Sequence, residues 1–236
     1  MDTVRKVLAE LKKKGSEQTR KTFARHGAPD NMFGVKVADL KVIAKKIKGN
    51  QELALELYET ENADAQYLAG IVADGSQMTK KQLEAWAKGA SWHMISEYPV
   101  AWVASESKHA KALAMKWIKA KKPSIRSTGW CTYSGIVATT DDAELDQKEI
   151  KDLLKRIEKE LDAADGRVRY TMNGFVIAVG SYVTPLTKQA IATAKKLGKV
   201  EVDMSGTACK VPEAVAYIEK VQKAGRAGKK RKTIKC

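Results

Sequence analysis

The stretch VKVADLKVIAKKIK, residues 35–48, places apolar side chains at Val37, Leu40, Ile43, Ala44 and Ile47 and cations at Lys41, Lys45, Lys46 and Lys48. At about 100° per residue the first set falls on one side of a helix and the second set off it, so the segment is an amphipathic helix with a basic outer face. The same i, i+3, i+4, i+7, i+8 pattern returns in SKHAKALAMKWIKA (107–120), through Ala110, Leu113, Ala114, Trp117 and Ile118, with Lys108, Lys111, Lys116 and Lys119 pointing elsewhere. Working outward, helices are predicted near residues 2–13, 16–26, 51–60, 63–73, 79–89, 91–105, 124–138, 145–163, 167–182, 186–197 and 212–223. Gly15, Gly49, Gly75 and Gly198 suit helix ends, and Asn62, Thr79, Ser91 and Thr184 suit N-caps. Only KVEVDMSGTACKVP (199–212) differs, with Val200, Val202 and Met204 alternating as in a short extended piece. One such piece makes no sheet, so the expectation is an all-α fold, either a bundle or a degenerate solenoid of helix pairs.

A chain of 236 residues buries a substantial core without disulfides or metals. A single domain is expected over residues 1–222, followed by a basic tail over 223–236. No apolar run reaches the roughly 20 residues that cross a bilayer, and the opening helix lacks the apolar block of a signal peptide, so no membrane association and a cytoplasmic location are expected. Cys131, Cys209 and Cys236 are far apart and form no C-x-x-C pair. This argues against a disulfide framework and a zinc site, and assigns Cys131 and Cys209 as small buried thiols and Cys236 as exposed. His26 and His109 have no partner at metal spacing and are assigned to the surface.

The net charge of +15 is segregated. Residues 1–50 hold 13 Lys and Arg against 5 Asp and Glu, residues 107–140 hold 7 cations and no acid, and residues 226–236 add 6 cations. Residues 51–100 are net acidic by 5, and residues 141–225 balance at 14 against 14. Segregated cations focus a field suited to a polyanion, with nucleic acid the first candidate.

The stretch SWHMISEYPVAW (91–102) concentrates chemistry in a chain short of aromatics. If Ser91 caps a helix, Trp92 and Ser96 lie about 40° apart on one face and Glu97 about 140° round from Trp92. Pro99 removes the donor for the carbonyl of Ile95, so the helix kinks or restarts there. Two readings stand open: one lip of a binding groove, or a core of Trp92, Ile95, Val100 and Trp102 with His93 and Glu97 outside. Arg126 is likewise a phosphate contact or a surface cation starting a helix after Pro123. Phe175 fits a core position on a helix apolar nearly all round. No phosphate-binding glycine loop, dinucleotide fingerprint, zinc-protease motif or nucleophile elbow is present in the sequence, which leaves nucleotide hydrolysis, dinucleotide redox and zinc hydrolysis without support.

FGVKVADLKVIAKKIK (33–48), ELALELYETENADAQYLAGIVAD (52–74), the SW pair at 91–92, SIR at 124–126 and VEVDMSGTACKVPEAVAYIEKV (200–221) together resemble the DNA alkylation repair family of AlkD-like HEAT-repeat proteins. The resemblance implies an all-helical, curved solenoid of HEAT-like repeats with a basic concave face on double-stranded, damaged DNA. It further implies a monomer that releases cationic N3- or N7-alkylpurines without metal or cofactor. It puts the first active-site tryptophan at Trp92, the second active-site aromatic at Phe175 where the family has tryptophan, and the phosphate-facing arginine at Arg126; the acid-free cationic block around Arg126 adds Lys108, Lys111 and Lys122 as expected DNA contacts. The family's catalytic aspartate falls on Ser96, and the acidic residue after the tryptophan falls on His93. Loss of one preorganised electrostatic partner costs on the order of 10²–10³ in rate, about 3–4 kcal/mol. Glu97 replaces it only if the kink at Pro99 turns it about 100° onto the face of Trp92. The alternative is a non-catalytic HEAT-repeat protein that binds distorted or branched DNA by its shape.

Overall fold

The computed structural model describes residues 3–207 and 209–235. The expected position of Cys236 lies outside them. The described residues form helices and connecting loops without a strand, and they divide into two compact units. One unit comprises residues 3–109, 204–207 and Lys235, and the other comprises residues 110–203 and 209–234.

The first unit is built on α1 (Val4–Lys14), α2 (Glu17–Arg25), α3 (Val37–Lys46), α4 (Gln51–Glu59), α5 (Ala63–Val72) and α6 (Lys80–Gly89). It closes with the broken run α7 (His93–Ile95), a π-helical turn at Ser96–Val100, and α8 (Ala101–Ser105). Capping sets most of the starts. Thr3, Ser16, Asn50 and Asn62 accept the backbone N–H of Lys6, Thr19, Leu53 and Ala65, and Thr79 and Gln82 form a reciprocal capping box. Each such cap is worth about 1 kcal/mol.

Helix α5 sits centrally, packed on α1, α3, α4 and the π-helical turn, and every residue from Ala63 to Gly70 is buried. Its buried carboxylate, Asp64, accepts the N–H groups of Phe33 (2.6 Å), Gly34 (3.0 Å) and Val35 (2.9 Å), tying the loop before α3 to α5. Burial pushes the Asp64 pKa up, and the three donors and Arg20 offset this only in part. Gln66, also buried, donates to the Gly89 carbonyl at 2.9 Å and accepts from the Ser91 N–H at 3.2 Å.

The second unit contains α9 (Ala110–Ile118), α10 (Pro123–Thr139), α11 (Gln147–Glu160), α12 (Gly166–Tyr182), α13 (Thr187–Leu197) and α14 (Ala214–Lys223). Helix α10 packs between α9 and α12, and α12 also carries α13 and α14. Short links join α4 to α5, α9 to α10 and α12 to α13, making helical hairpins of the kind that build HEAT-like repeats.

Several expectations are corrected. Helix α9 starts at Ala110, the first apolar residue of its pattern, and the quoted residues before it are not helical, since Ser107 lies in a turn in which its hydroxyl donates to the Ala104 carbonyl at 2.8 Å. Ser91 is no cap, since its N–H is taken by Gln66 and Trp92 precedes the helix in extended conformation at φ −162°, ψ 178°. Gly75 opens a short 3-10 turn, and α5 ends at Ala73. Residues 199–207 and 209–212 are irregular, with positive φ at Ser205 and Gly206 breaking the alternation. Cys209 is exposed and Cys131 half-buried.

The residues beyond α14 are docked along the protein. The Gly228 N–H donates to the Ser181 carbonyl (2.8 Å), the Arg231 N–H to that of Ala138 (2.8 Å), and Lys230 Nζ to that of Val137 (2.9 Å) while pairing with Asp142 (2.8 Å). Gly228 has φ 72°, and a Cβ there would stand 2.4 Å from Thr184 Oγ1.

At Gly70 the backbone of α5 meets the π-helical turn so closely that an added Cβ would stand 2.3 Å from Pro99 Cβ. Gly70→Ala gains about 1 kcal/mol of helix propensity, but the overlap with a buried proline costs about 1–3 kcal/mol or more. The expected outcome is net destabilisation, measured as a lower urea midpoint at unchanged m-value.

Candidate nucleic-acid interface

The segment entering α7 carries Trp92, half-buried, with its ring 5.8 Å from that of Phe23 and 5.1 Å from that of His93. A crevice of only about 20 Å³ beside it is walled by Phe23, Val35, Leu40 and Tyr67. That volume admits one water molecule and no nucleobase. The Trp92 Nε1 and Ser91 Oγ atoms are shielded and without hydrogen-bond partners in the described protein, a cost of about 1–3 kcal/mol per group.

Because Trp92 lies outside the helix, the 40° relation to Ser96 does not arise. Ser96 is 1% exposed; its N–H donates to the Trp92 carbonyl (3.1 Å) and its hydroxyl to the His93 carbonyl (3.3 Å). Pro99 cannot donate a backbone hydrogen bond, and residues 96–100 widen into the π-helical turn. Glu97 lies inside that turn and is buried, at 4% exposure. Ile95, Val100 and Trp102 are buried, as in the core reading, whereas Glu97 departs from that reading by being inside.

The second unit holds the other predicted residues. Phe175 is a correction to what the resemblance implies. It is fully buried on α12, 5.3 Å from the ring of Trp130 and 5.5 Å from that of Tyr133, and offers no face to a base or sugar. Arg126, in the first turn of α10, donates to Glu160, which also receives Arg156 at 2.8 Å, and the Arg126 side chain is 22% exposed. Its Nε is shielded and without a partner. Lys111 stands 3.3 Å from both Asp146 and Glu149. Burial pulls the Lys111 pKa down, but these two carboxylates outweigh it and hold the group above an ordinary lysine.

Lys108 and Lys122 are exposed and make no ion pair among the described residues, and the same holds for Lys119 and Lys121. The free cations of the 107–126 block are therefore these four rather than Arg126 and Lys111. Partnering distinguishes them, and it depends on acids more than 30 positions away, Asp146 and Glu149 for Lys111 and Glu160 for Arg126, beyond the reach of local pattern. No cluster of three metal-ligating side chains occurs among the described residues, and no helix of the described residues is long and apolar enough to cross a membrane.

Residues 7–218 match the family model described as DNA alkylation repair enzyme. The chain belongs to that family. It is 36% identical over 228 residues to the protein Lin0241 of Listeria innocua, itself named as uncharacterized, covering 94% of this chain and 98% of that one. A second relative, Lmo0209 of Listeria monocytogenes, is 35% identical over the same shares. A solved structure, 36% identical and with a TM-score of 0.91 over all of both chains, is described as one of a new family of proteins related to the HEAT-like repeat DNA glycosylases with affinity for branched DNA structures. The expected all-helical, HEAT-like repeat fold is thus borne out.

A phenylalanine sealed between Trp130 and Tyr133 is structural. Phe175→Ala is expected to cost about 3–5 kcal/mol of stability, read in chemical denaturation. In the fraction that remains folded, DNA affinity is expected to be unchanged.

Proposed function

We propose that the protein binds branched or distorted DNA by charge and shape and does not excise bases. The observation that carries this reading is Ser96: where the family resemblance puts a catalytic carboxylate, the chain has a serine, 1% exposed, whose hydroxyl is already given to the His93 carbonyl.

The chemistry explains why that residue decides the matter. An N3- or N7-alkylated purine is cationic and leaves as a neutral base, so the leaving group needs no proton. The deoxyribose left behind gains oxocarbenium character, which a nearby carboxylate stabilises while it orients water. A buried serine brings no negative charge, and Glu97 is itself buried within the π-helical turn. With Phe175 in the core, the second aromatic that the family resemblance implies is not available to the sugar.

Binding needs none of this. The exposed lysines at 108, 119, 121 and 122 neutralise phosphates and release condensed counterions, a term indifferent to base sequence. Arg126 joins them only by giving up Glu160, so its contribution is the difference between two ion pairs. A branched structure crowds phosphates of several strands together, which raises the field such lysines meet. The affinity for branched DNA of the protein in the similar solved structure points the same way.

A second reading, excision of cationic alkylpurines, is favoured by membership of the family and by the half-exposed Trp92. Incubation with methylated duplex, followed by measurement of free 3-methyladenine and 7-methylguanine, separates the two. The expected result is no release above the spontaneous rate, with a four-way junction bound about tenfold or more tighter than a linear duplex at equal salt. The apparent log K should fall with log salt by about 0.9 for each phosphate neutralised. Base release that disappears in Trp92→Ala would establish the enzyme instead.

A further inference from the structure

A cleft of about 550 Å³ opens in the first unit between the C-terminal half of α3 and the end of α5. Lys41 and Lys45 stand on it one turn apart on α3, about 6 Å along its axis, and Lys48 stands on it from the turn that follows the helix. All three are exposed, and none makes an ion pair among the described residues. Their neighbour Lys46, off the cleft, pairs with Glu10 at 2.6 Å. Lys235 lines the same cleft from the end of the chain, held by the Ala73 carbonyl and by Glu106 at 3.4 Å. Besides Glu106, which Lys235 already faces, the lining holds one carboxylate. This is Asp74, whose oxygens are occupied by Ser76 and Gln77, and these bonds hold its pKa below the ordinary range.

The lining defines the ligand. Its apolar part is aliphatic, including Ile71 and Val72, with no aromatic ring on which a base would stack. Two free lysines one helical turn apart, with a third just past the helix end, suit neighbouring phosphates of one DNA strand at a rise of ~3.4 Å per step. The nearby carbonyl end of α3 repels anions, so the lysines supply all the attraction, and binding there is correspondingly salt-sensitive.

The position defines which DNA. The crevice beside Trp92 is walled by Val37 and Leu40 of α3 and by Asp64 and Tyr67 of α5, whereas the cleft takes later residues of the same two helices. The two openings are thus at opposite ends of one helix pair, about 10–12 Å apart along the axes. A straight duplex offers backbone in one direction, and a junction offers it in several. Resting on the branched-DNA reading above, we propose that this cleft is a phosphate site for the backbone of a second arm of branched DNA.

The test uses the full chain, wild type against K41Q/K45Q/K48Q, titrated with a four-way junction and with a linear duplex at several salt concentrations. The variant is expected to lose about tenfold or more in junction affinity, with a salt slope shallower by about 2–3. Linear-duplex affinity should stay within about twofold, and the charge-retaining K41R/K45R/K48R should keep junction binding. Equal losses on both DNAs, or a junction affinity that does not move, would overturn the assignment. A wild type without junction preference removes the branched-DNA reading and the second arm with it. A wild type with that preference, matched by a variant that keeps it, removes the cleft alone.

Discussion

In each unit the amphipathic helices rest on helices that have almost no solvent face. Helix α5 is closed in from Ala63 to Gly70, and α10 and α12 are closed in over most of their 17 residues each. A helix with one apolar stripe, such as α11 with Ile150, Leu153, Leu154 and Ile157, gains its stability from the surface it covers. Chain polarity is thereby sorted: side chains on the inner helices must find partners inside the protein, and the large cationic surplus is left to outer helices and loops.

That sorting makes the buried polar residues of α5 into positioning devices. Asp64 has nowhere to send its charge except the backbone donors of Phe33, Gly34 and Val35, so it fixes the loop whose Phe23–Trp92 neighbourhood forms the crevice. Gln66 performs the same task two residues later, holding the end of α6 and the entry to α7 together through Gly89 and Ser91. Pro99 reaches this helix over the bare backbone of Gly70. The geometry of the Trp92 segment is thus set by three residues of a different helix, each of which would be costly to leave unpaired or to enlarge.

This is also where sequence reasoning reaches its limit. Periodicity finds helices because burial repeats every turn, and α3, α5 and α11 fall close to where their patterns put them. It misplaces Ser91 because the competing acceptor, Gln66, is 25 residues away. The kink at Pro99 is legible from one residue, but its form, a widened turn with Ser96 and Glu97 inside, depends on packing against α5. Phe175 shows a family position and a core position contending for one residue, and the rings of Trp130 and Tyr133 decide for the core. The residues after Lys223 have no apolar period at all, yet they dock through Gly228, Lys230 and Arg231 by bonds to distant carbonyls. Composition alone makes that segment a solvated tail.

The same distinction governs how charge becomes function. A net charge of +15 says that an anion is attracted, not where. A lysine that already faces a carboxylate, as Lys111 faces Asp146 and Glu149, must lose that partner before it gains a phosphate, and the exchange returns little. Lys230 and Lys235, both largely shielded and bonded to carbonyls, serve the fold. A free, hydrated lysine gains the phosphate and releases counterions without that loss. Counting cations therefore overstates what is free to bind, and sorting by partner separates Lys108, Lys119, Lys121 and Lys122 from Lys111 and Arg126 in one block, and Lys41, Lys45 and Lys48 from Lys46 at the end of α3.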